Sequence, residues 1–269
     1  MTGDTLGGST EFEVVKIRDG AAETFIQAVA TEVPCTIVVN GKEAVTSMIT
    51  PTHFKEFAVG HLFTAGIISK ADDIVSCSCD ETRWRLDVKT RHEVDLDLLG
   101  KRVYTSGCGK GVMYANVIEL SSRHPLPSGF TVRVGRLKAA IRWLLSSSAL
   151  FQATRGVHSV ALSLEGALPD MLIDDIGRHN AVDKIIGYGL LAGLDFSRSI
   201  LLSTGRTSSE ILHKAKRAEI PIVLSRGAPT HQTILLSRDM GVTIAGFKKS
   251  GDLVVYSNGQ RVLTDSGRP

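Results

Sequence analysis

Apolar and polar residues alternate near the start of the chain in the way that β-strands require. Residues 11–18 alternate in this manner, which predicts a strand. A second apolar run leads into Asn40-Gly41, and residues 44–49 lead away from it. Because Asn-Gly favours a tight turn between paired strands, this segment predicts a β-hairpin. Residues 1–10 contain almost nothing to bury, so we expect a disordered N-terminus.

Helical periodicity begins after these strands. Thr50-Pro51 predicts a helix start with Thr50 as N-cap, and apolar residues then recur every three or four positions up to Gly66. Two prolines and a glycine within residues 124–129 mark a boundary. We therefore predict three parts: a disordered N-terminus (1–10), a mixed α+β region (11–125) and an α/β domain (126–265).

The second half alternates between strands and helices. Short apolar runs predict strands at residues 171–173, 199–203, 222–224 and 242–245. Helix starts are predicted at Asn180, at a capping box of Thr207 and Glu210, and at Thr230. Strands and helices that alternate at this spacing predict βα units and a largely parallel sheet.

Composition narrows the class of protein. Of the 269 residues, 43% are hydrophobic and 22% are charged, as in ordinary globular proteins. No apolar run approaches the roughly 20 residues of a membrane span, and a net charge of +3 is too small to favour nucleic acid or a membrane as partner. The four cysteines show no disulfide framework and no secretory leader is visible, so we expect a cytoplasmic protein.

One cysteine lies in a segment suited to thiol chemistry. Cys108 stands between Gly107 and Gly109, and these glycines predict a mobile loop. A thiol reacts as the thiolate, and nearby cations such as Arg102 and Lys110 favour that form. The alternative is a glycine-rich turn with an incidental cysteine, and this stretch alone leaves both interpretations open.

The loops after the four predicted strands form a second candidate site. Ligands of open parallel sheets bind beyond the carboxyl ends of the strands. Three of these loops carry an arginine and lead into a helix N-terminus, a combination that binds anions. Three glycines (177, 205 and 227) are expected to let the backbone approach the ligand closely. The candidate ligand-binding residues are Arg178, His179, Asn180, Gly205, Arg206, Ser208, Arg226, Lys248 and Lys249. The pattern favours a ligand with several phosphates, with helix capping and chain turning as the alternative.

Titratable residues in the first of these loops have two interpretations. Asp174, Asp175 and His179 are candidates for general acid–base groups, or they cap the helix and bind the arginines. We favour the second role, because acidic side chains stabilise helix N-termini. A zinc deaminase needs H-x-E and P-C-x-x-C, and at His158 a valine stands where the glutamate would be. We therefore expect no zinc.

Several segments together are similar to one known family, FdhD, the formate dehydrogenase accessory sulfurtransferases. The segments that carry this resemblance are Phe57–Ile68, Thr105–Gly109, Asp174–Lys184, Ser203–Glu210, Ser225–Thr230 and Gly246–Lys248. The run R-H-N-A-V-D-K, at residues 178–184 within Asp174–Lys184, is too long for a chance match.

The resemblance implies a cytidine-deaminase-like three-layer α/β core that lacks the zinc site, a smaller mixed N-terminal domain, and a homodimer. It implies a sulfur carrier that takes sulfur from a cysteine desulfurase as a persulfide on Cys108. The sulfur would pass to the molybdenum of bis-molybdopterin guanine dinucleotide for formate dehydrogenase, and a guanine nucleotide is expected to mimic this ligand. The cofactor-binding segment of the family falls here on Phe247, Lys248, Lys249, Ser250, Gly251 and Asp252.

This chain departs from the family pattern at two positions. Gly111 stands where many members have a second loop cysteine, which puts any mechanism with two thiols in doubt but leaves direct persulfide transfer from Cys108. Lys248 replaces an expected arginine, keeping the charge without the bidentate fork. Two alternatives stay open: a chaperone that delivers the molybdenum cofactor without moving sulfur, and a nucleotide-processing hydrolase of deaminase-like fold.

Overall fold

A computed structural model describes residues 7–94, 102–104, 112–114 and 124–264. Cys108 and Gly111 lie outside these ranges, so the thiol loop stays a prediction. Among the helices of the described ranges, none is long and apolar enough to cross a membrane.

The first half of the chain contains a hairpin, a four-stranded sheet and a helix. Its elements are β1 (Ser9–Arg18), β2 (Ala21–Ala30), β3 (Val33–Val39), β4 (Lys42–Ile49), α1 (Phe54–Thr64), β5 (Ile74–Asp80), β6 (Arg85–Thr90), β7 (Arg102–Tyr104) and β8 (Val112–Tyr114). Strand β1 pairs with β2, and β7 pairs with β8. The four-stranded sheet has the order β4-β3-β6-β5, and its pair β3–β6 is parallel.

Of three predictions for the first half of the chain, one is confirmed and two are wrong. The hairpin at Asn40-Gly41 is confirmed, since both residues have the positive φ angles (49° and 84°) that a type I′ turn requires. The disordered N-terminus is wrong for Ser9 and Thr10, which pair with strand β2. Thr50 does not cap α1, because its hydroxyl instead accepts a hydrogen bond from the backbone of Ile176 (3.1 Å).

The second half is built on a six-stranded sheet. Its elements are β9 (Val132–Arg133), α2 (Val134–Ser147), α3 (Ala149–Thr154), β10 (His158–Leu164), β11 (Leu172–Asp175), α4 (Arg178–Leu191), β12 (Ser199–Ser203), α5 (Ser209–Arg217), β13 (Ile222–Ser225), α6 (His231–Met240), β14 (Thr243–Phe247), β15 (Leu253–Ser257) and β16 (Val262–Leu263). The sheet has the order β11-β10-β12-β13-β14-β15, while β16 pairs separately with β9.

The six-stranded sheet is mixed rather than largely parallel. Strands β12, β13 and β14 are parallel, whereas β10 runs antiparallel to both β11 and β12, and β15 runs antiparallel to β14. The prediction of a largely parallel sheet is therefore wrong. Because β10 opposes both of its neighbours, β11 still points the same way as β12. The carboxyl ends of β11, β12, β13 and β14 consequently meet at one edge.

Helices cover both faces of this sheet and connect it to the four-stranded sheet. Helix α2 buries Leu137, Ile141 and Leu144 against one face. The opposite face packs against α4 and α5, and α1 lies against α4 and the four-stranded sheet. One apolar cluster on that side runs from Val33 to Ile244. The predicted mixed α/β class is confirmed, while the domain boundary near residue 125 and the likeness to cytidine deaminases stay predictions.

Helices α1 and α4 cross at two glycines. A Cβ atom on Gly60 would lie 1.8 Å from the carbonyl oxygen of Asp183, and one on Gly187 would lie 1.9 Å from that of Glu56. Real Cβ atoms do not approach backbone so closely, so the two helix backbones are in direct contact here. Helix α1 is thereby held at a fixed position beneath the loops that follow β11.

Candidate functional site

Four loops meet at the edge where β11, β12, β13 and β14 end, and we call them the loop rim (residues 176–180, 204–208, 226–230 and 248–252). The Arg226 amide donates to the carbonyl of Ser203 (2.9 Å), and the Ser225 hydroxyl donates to the carbonyl of Gly205 (2.5 Å). The Thr230 amide donates to the carbonyl of Thr207 (3.1 Å). These bonds join the second loop to the third, so the predicted meeting of the loops is observed.

The rim brings together the predicted cationic residues. Arg178 begins α4, Arg206 is exposed between β12 and α5, and Arg226 directly follows β13. Lys248 and Lys249 follow β14. Within the described ranges, neither Arg206 nor Arg226 forms a salt bridge, so both keep their charge available for an anion. The N-termini of α4, α5 and α6 open onto the same edge, where their backbone N–H groups add positive potential.

The glycines of the rim allow its loops to pack closely. A Cβ atom on Gly227 would lie 2.5 Å from the carbonyl oxygen of Gly205. One on Gly205 would lie 2.9 Å from Cβ of Arg178, and one on Gly177 would lie 2.6 Å from the side-chain amide of Asn180. The Cβ side of each glycine thus faces protein: a neighbouring loop at Gly205 and Gly227, and the same loop at Gly177. Approach of a ligand to their backbone stays a prediction.

The turn after β14 is tightly organised. The Lys248 amide donates to the carbonyl of Asp252 (2.9 Å), and Gly251 adopts a φ angle of 86° that favours glycine. The Ser250 hydroxyl donates to the Asp252 carboxylate (2.6 Å), whereas the side chain of Lys249 is exposed. Phe247, which precedes the turn, is buried. The Asp252 carboxylate is thus engaged within the turn, whereas the exposed Lys249 ammonium is available to a ligand.

Two residues that the sequence reasoning missed contact this turn. The Lys248 ammonium donates to the Tyr256 hydroxyl (2.8 Å) and lies 5.5 Å from the centre of that ring. The Arg142 guanidinium, from α2, lies 5.8 Å from the centre of the Phe247 ring. Arg142 lies far from this turn in sequence, so no local motif reveals their proximity. The packing of α2 on the sheet brings them together.

The acidic residues at the first loop have structural roles. Asp175 is fully buried and binds the Lys184 ammonium (2.6 Å), and it accepts hydrogen bonds from the amides of Thr50 (3.1 Å) and Gly177 (2.8 Å). Asp174 accepts from the hydroxyls of two serines, 148 (2.8 Å) and 159 (2.5 Å). The prediction that these carboxylates bind the rim arginines is therefore wrong. Burial raises the pKa of Asp174, an effect that the two serine hydroxyls oppose.

His179 and the predicted helix caps also differ from expectation. His179 contacts the Glu210 carboxylate (Nε2–Oε2, 2.7 Å). Glu210 was predicted to form a capping box with Thr207, but its carboxylate is engaged by His179 instead. Helix α5 instead begins after Ser208, and α4 begins at Arg178 rather than after Asn180. In each case a contact with a distant element outweighs the local capping preference.

Beneath the rim, a second buried ion pair joins three helices. Asp183 on α4 binds the Lys214 ammonium on α5 (2.5 Å) and accepts from the Thr64 hydroxyl on α1 (2.7 Å). His61 contacts the same carboxylate (3.1 Å). Burial raises the pKa of Asp183, but Lys214 and His61 lower it more strongly, so the carboxylate stays ionised. This cluster supports the rim and lies away from its surface.

One histidine lies at the rim without having been proposed for it. His158 starts β10, whose first residues pair with the last residues of β11. Burial lowers the pKa of His158, and the charges of Arg178 and His179 lower it further. The imidazole is therefore neutral near pH 7 and adds a hydrogen-bonding group rather than a charge. The antiparallel direction of β10, which the sequence did not reveal, is what brings His158 to this edge.

The described cysteines are poorly suited to nucleophilic chemistry. Cys35 is fully buried, and burial together with Cys79 raises its pKa to about 12. Burial is also the main cause that raises the pKa of Cys77 and of Cys79, and two carboxylates (Asp80 and Glu81) add to the effect at Cys79. Because the thiolate is the reactive form, these three side chains are unfavourable sulfur carriers. Cys108 lies outside the described ranges.

Comparison with known proteins places the chain among relatives of the same fold. A model of the FdhD/NarQ family matches residues 30–263. A protein of Bacillus subtilis (strain 168) named sulfur carrier protein FdhD is 32% identical, covering 93% of this chain and 96% of its own length. A protein of the same name from Staphylococcus aureus (strain MRSA252) is 31% identical, covering 93% and 95%. A crystal structure from Desulfotalea psychrophila, assigned as a formate dehydrogenase accessory protein, superposes with a TM-score of 0.79 at 29% identity, covering 95% of this chain and 100% of that one.

Proposed function

The chain belongs to the FdhD/NarQ family, and on that premise we propose that it is a sulfurtransferase that carries sulfur for the maturation of formate dehydrogenase. In this proposal a cysteine desulfurase donates the sulfur, Cys108 holds it as a persulfide, and the molybdenum of bis-molybdopterin guanine dinucleotide receives it. The protein acts in the cytoplasm as a homodimer, and the dinucleotide is its bound substrate.

The loading step needs a single reactive thiol. The Cys108 thiolate attacks the outer sulfur of the persulfide on the desulfurase. The sulfur–sulfur bond of the donor breaks, its cysteine leaves as thiolate, and Cys108 keeps the outer sulfur, so no external oxidant is consumed. The glycine at position 111 does not prevent this step, because a resolving thiol is required only where a disulfide must form.

The observation that carries the proposal is the loop rim. A guanine dinucleotide presents several phosphates, and the rim offers Arg178, Arg206, Arg226 and Lys248 at the end of four strands that point the same way. Guanidinium groups bind phosphate oxygens in pairs, and helix N-termini complement the same charge. The donor set of the rim is thus cationic and hydrogen-bonding, which fits a phosphate-rich ligand and not a metal ion.

Sulfur loading provides the direct test. The purified full-length protein, incubated with a cysteine desulfurase and cysteine, is expected to gain one sulfur atom on Cys108, since the thiolate of that residue is favoured by neighbouring cations. Mass spectrometry of peptides checks the position of the adduct. An adduct on Cys35, Cys77 or Cys79, with none on Cys108, would contradict the assignment.

Removal of two rim arginines tests the ligand site. The double variant Arg206→Ala/Arg226→Ala is expected to bind GDP at least about 100-fold more weakly, because each arginine is expected to make charge-assisted hydrogen bonds of about 1.5–3 kcal/mol. Isothermal titration calorimetry at two salt concentrations measures the change. The matched control is Arg83→Ala, whose side chain is 80% exposed in the turn between β5 and β6. Equal affinity in the wild type and the double variant would exclude the rim as the phosphate site.

A further inference from the structure

The hairpin of β1 and β2 is a long two-stranded ribbon, and we call it the hairpin arm (residues 9–30). Each strand has ten residues, so the arm is roughly 33 Å long at about 3.3 Å per residue. Asp19 and Gly20 form its turn, with φ angles of 52° and 81°. The base of the arm is attached to the body: the Gln27 side chain donates to the carbonyl of Ala153 (2.9 Å), where β2 packs against α3.

Both faces of the arm carry exposed apolar side chains. One face presents Phe12, Phe25 and Val29, which are 51%, 37% and 41% exposed, and the other presents Val15, Ile17 and Ile26, which are 61%, 75% and 58% exposed. An isolated two-stranded hairpin is at best marginally stable in water. Six exposed apolar residues on one such ribbon therefore indicate a surface that another molecule covers.

The area of the arm favours a symmetric partner. One face of a ribbon of this length measures roughly 330 Å², since paired strands lie about 4.8 Å apart. A single arm on an unrelated protein would bury roughly 660 Å² in total, which is the size of a crystal contact. Two arms exchanged between two copies of the chain would bury roughly 1,300 Å², which is within the range of stable interfaces.

The charges of the chain agree with this occupant. The arm contains four acidic and two basic side chains, so the formal net charge of +3 divides into −2 on the arm and +5 on the remainder. Helix α2, for example, carries three basic side chains (Arg136, Lys138 and Arg142) and no acidic one. An acidic arm of one copy is thus complementary to the basic body of a second copy.

We propose that the hairpin arm is the surface through which two copies of this chain associate, each arm packing the face with Val15, Ile17 and Ile26 on the body of the other. The inference specifies how the proposed homodimer forms, and it is independent of where sulfur is carried. Its failure would leave the assignment of Cys108 untouched, since sulfur loading and oligomeric state are measured separately.

Charged substitutions on the arm test the proposal. Val15→Lys/Ile17→Lys is expected to raise the dimer dissociation constant at least about 100-fold, because a twofold interface loses four buried apolar side chains. Sedimentation velocity over a concentration series measures the constant. The matched control is Val75→Lys, because Val75 is also a strand valine and is 62% exposed on the four-stranded sheet. A wild type that is monomeric throughout the series, or a dimer that both substitutions leave equally tight, would overturn the proposal.

A second measurement does not depend on the folding of charged variants. A photo-crosslinking amino acid at position 26, in otherwise unchanged protein, is irradiated in an equal mixture of isotopically heavy and light chains. We expect crosslinked peptides that combine heavy with light chain, which shows contact between copies. Crosslinks confined to a single chain would mean that a segment of the same molecule covers the arm, and crosslinks formed only to another protein would mean that the occupant is not a second copy.

Discussion

Cys108→Ala is expected to abolish maturation of formate dehydrogenase, with activity falling to the level of cells that lack the protein. The reason is chemical: the proposed carrier needs a thiolate, and alanine has no sulfur to hold. The cysteines at 35, 77 and 79 are poor substitutes, because the pKa of each thiol is raised and Cys35 is fully buried. Formate dehydrogenase activity in a complemented deletion strain measures the effect.

The matched control for this loss is Cys79→Ala. Cys79 is the exposed member of the described cysteines, and burial and neighbouring carboxylates raise its pKa. We expect this variant to support normal activity. Cellular amounts of both variants should equal that of the wild type, as judged by immunoblot. Full maturation by Cys108→Ala would support the alternative function, a chaperone that delivers the molybdenum cofactor without moving sulfur.

Gly187→Ala is expected to lower the free energy of unfolding by at least about 3 kcal/mol. The added methyl group would lie 1.9 Å from the carbonyl oxygen of Glu56, and a backbone atom cannot rotate away as the end of a side chain does. Helices α1 and α4 must therefore separate, which opens the apolar core that both share. The midpoint of thermal unfolding should fall by about 6–12 °C. Circular dichroism during heating and in urea measures both quantities.

Gly129→Ala is the control for the chemical change itself. No atom lies within 4 Å of a Cβ placed on Gly129, and its φ angle is not positive. Alanine there should leave stability within about 0.5 kcal/mol or raise it slightly, because alanine lowers the entropy of the unfolded chain. A loss of less than about 1 kcal/mol at Gly187 would show that the helices can move apart at little cost.

Features that depend on neighbours in sequence were predictable. The Asn40-Gly41 turn and helix α1 follow from local composition and spacing, and both are present. The loop rim was also predictable, because strands that share a direction end at the same edge whatever the details of their packing. The arginines at 178, 206 and 226 lie within three residues of the ends of such strands. Local pattern and chain direction together were sufficient for this part of the site.

Features that depend on distant contacts were not predictable in the same way. Thr50 has the composition of a helix cap, yet it binds the backbone of Ile176 and the ammonium of Lys184. Gly205 looks like a ligand-binding glycine, yet it makes room for Arg178. The direction of β10 is likewise set by its pairing, which an apolar run does not specify. In each case the partner lies far away in sequence, so no local pattern distinguishes the two outcomes.

The other functional assignments stay predictions. The role of Cys108, the binding of bis-molybdopterin guanine dinucleotide at Phe247 to Asp252, and the desulfurase and homodimer partners rest on the family and on the chemistry of the rim. The structure supplies the turn at these positions and the cations around it. The experiments above have separate readouts: a sulfur adduct for Cys108, a nucleotide affinity for the arginines of the rim, and a dissociation constant for the homodimer.

The single apolar cluster from Val33 to Ile244 has a consequence for dissecting the chain. Helix α1, which packs on the four-stranded sheet, and helix α4, which packs on the six-stranded sheet, lie directly against each other. The ion pair between Asp183 and Lys214 also reaches Thr64 in the first half. Cutting the chain near residue 125 would expose apolar core residues and buried charged groups on both fragments. We therefore expect the two halves to fold together, and neither half to fold stably as a separate fragment.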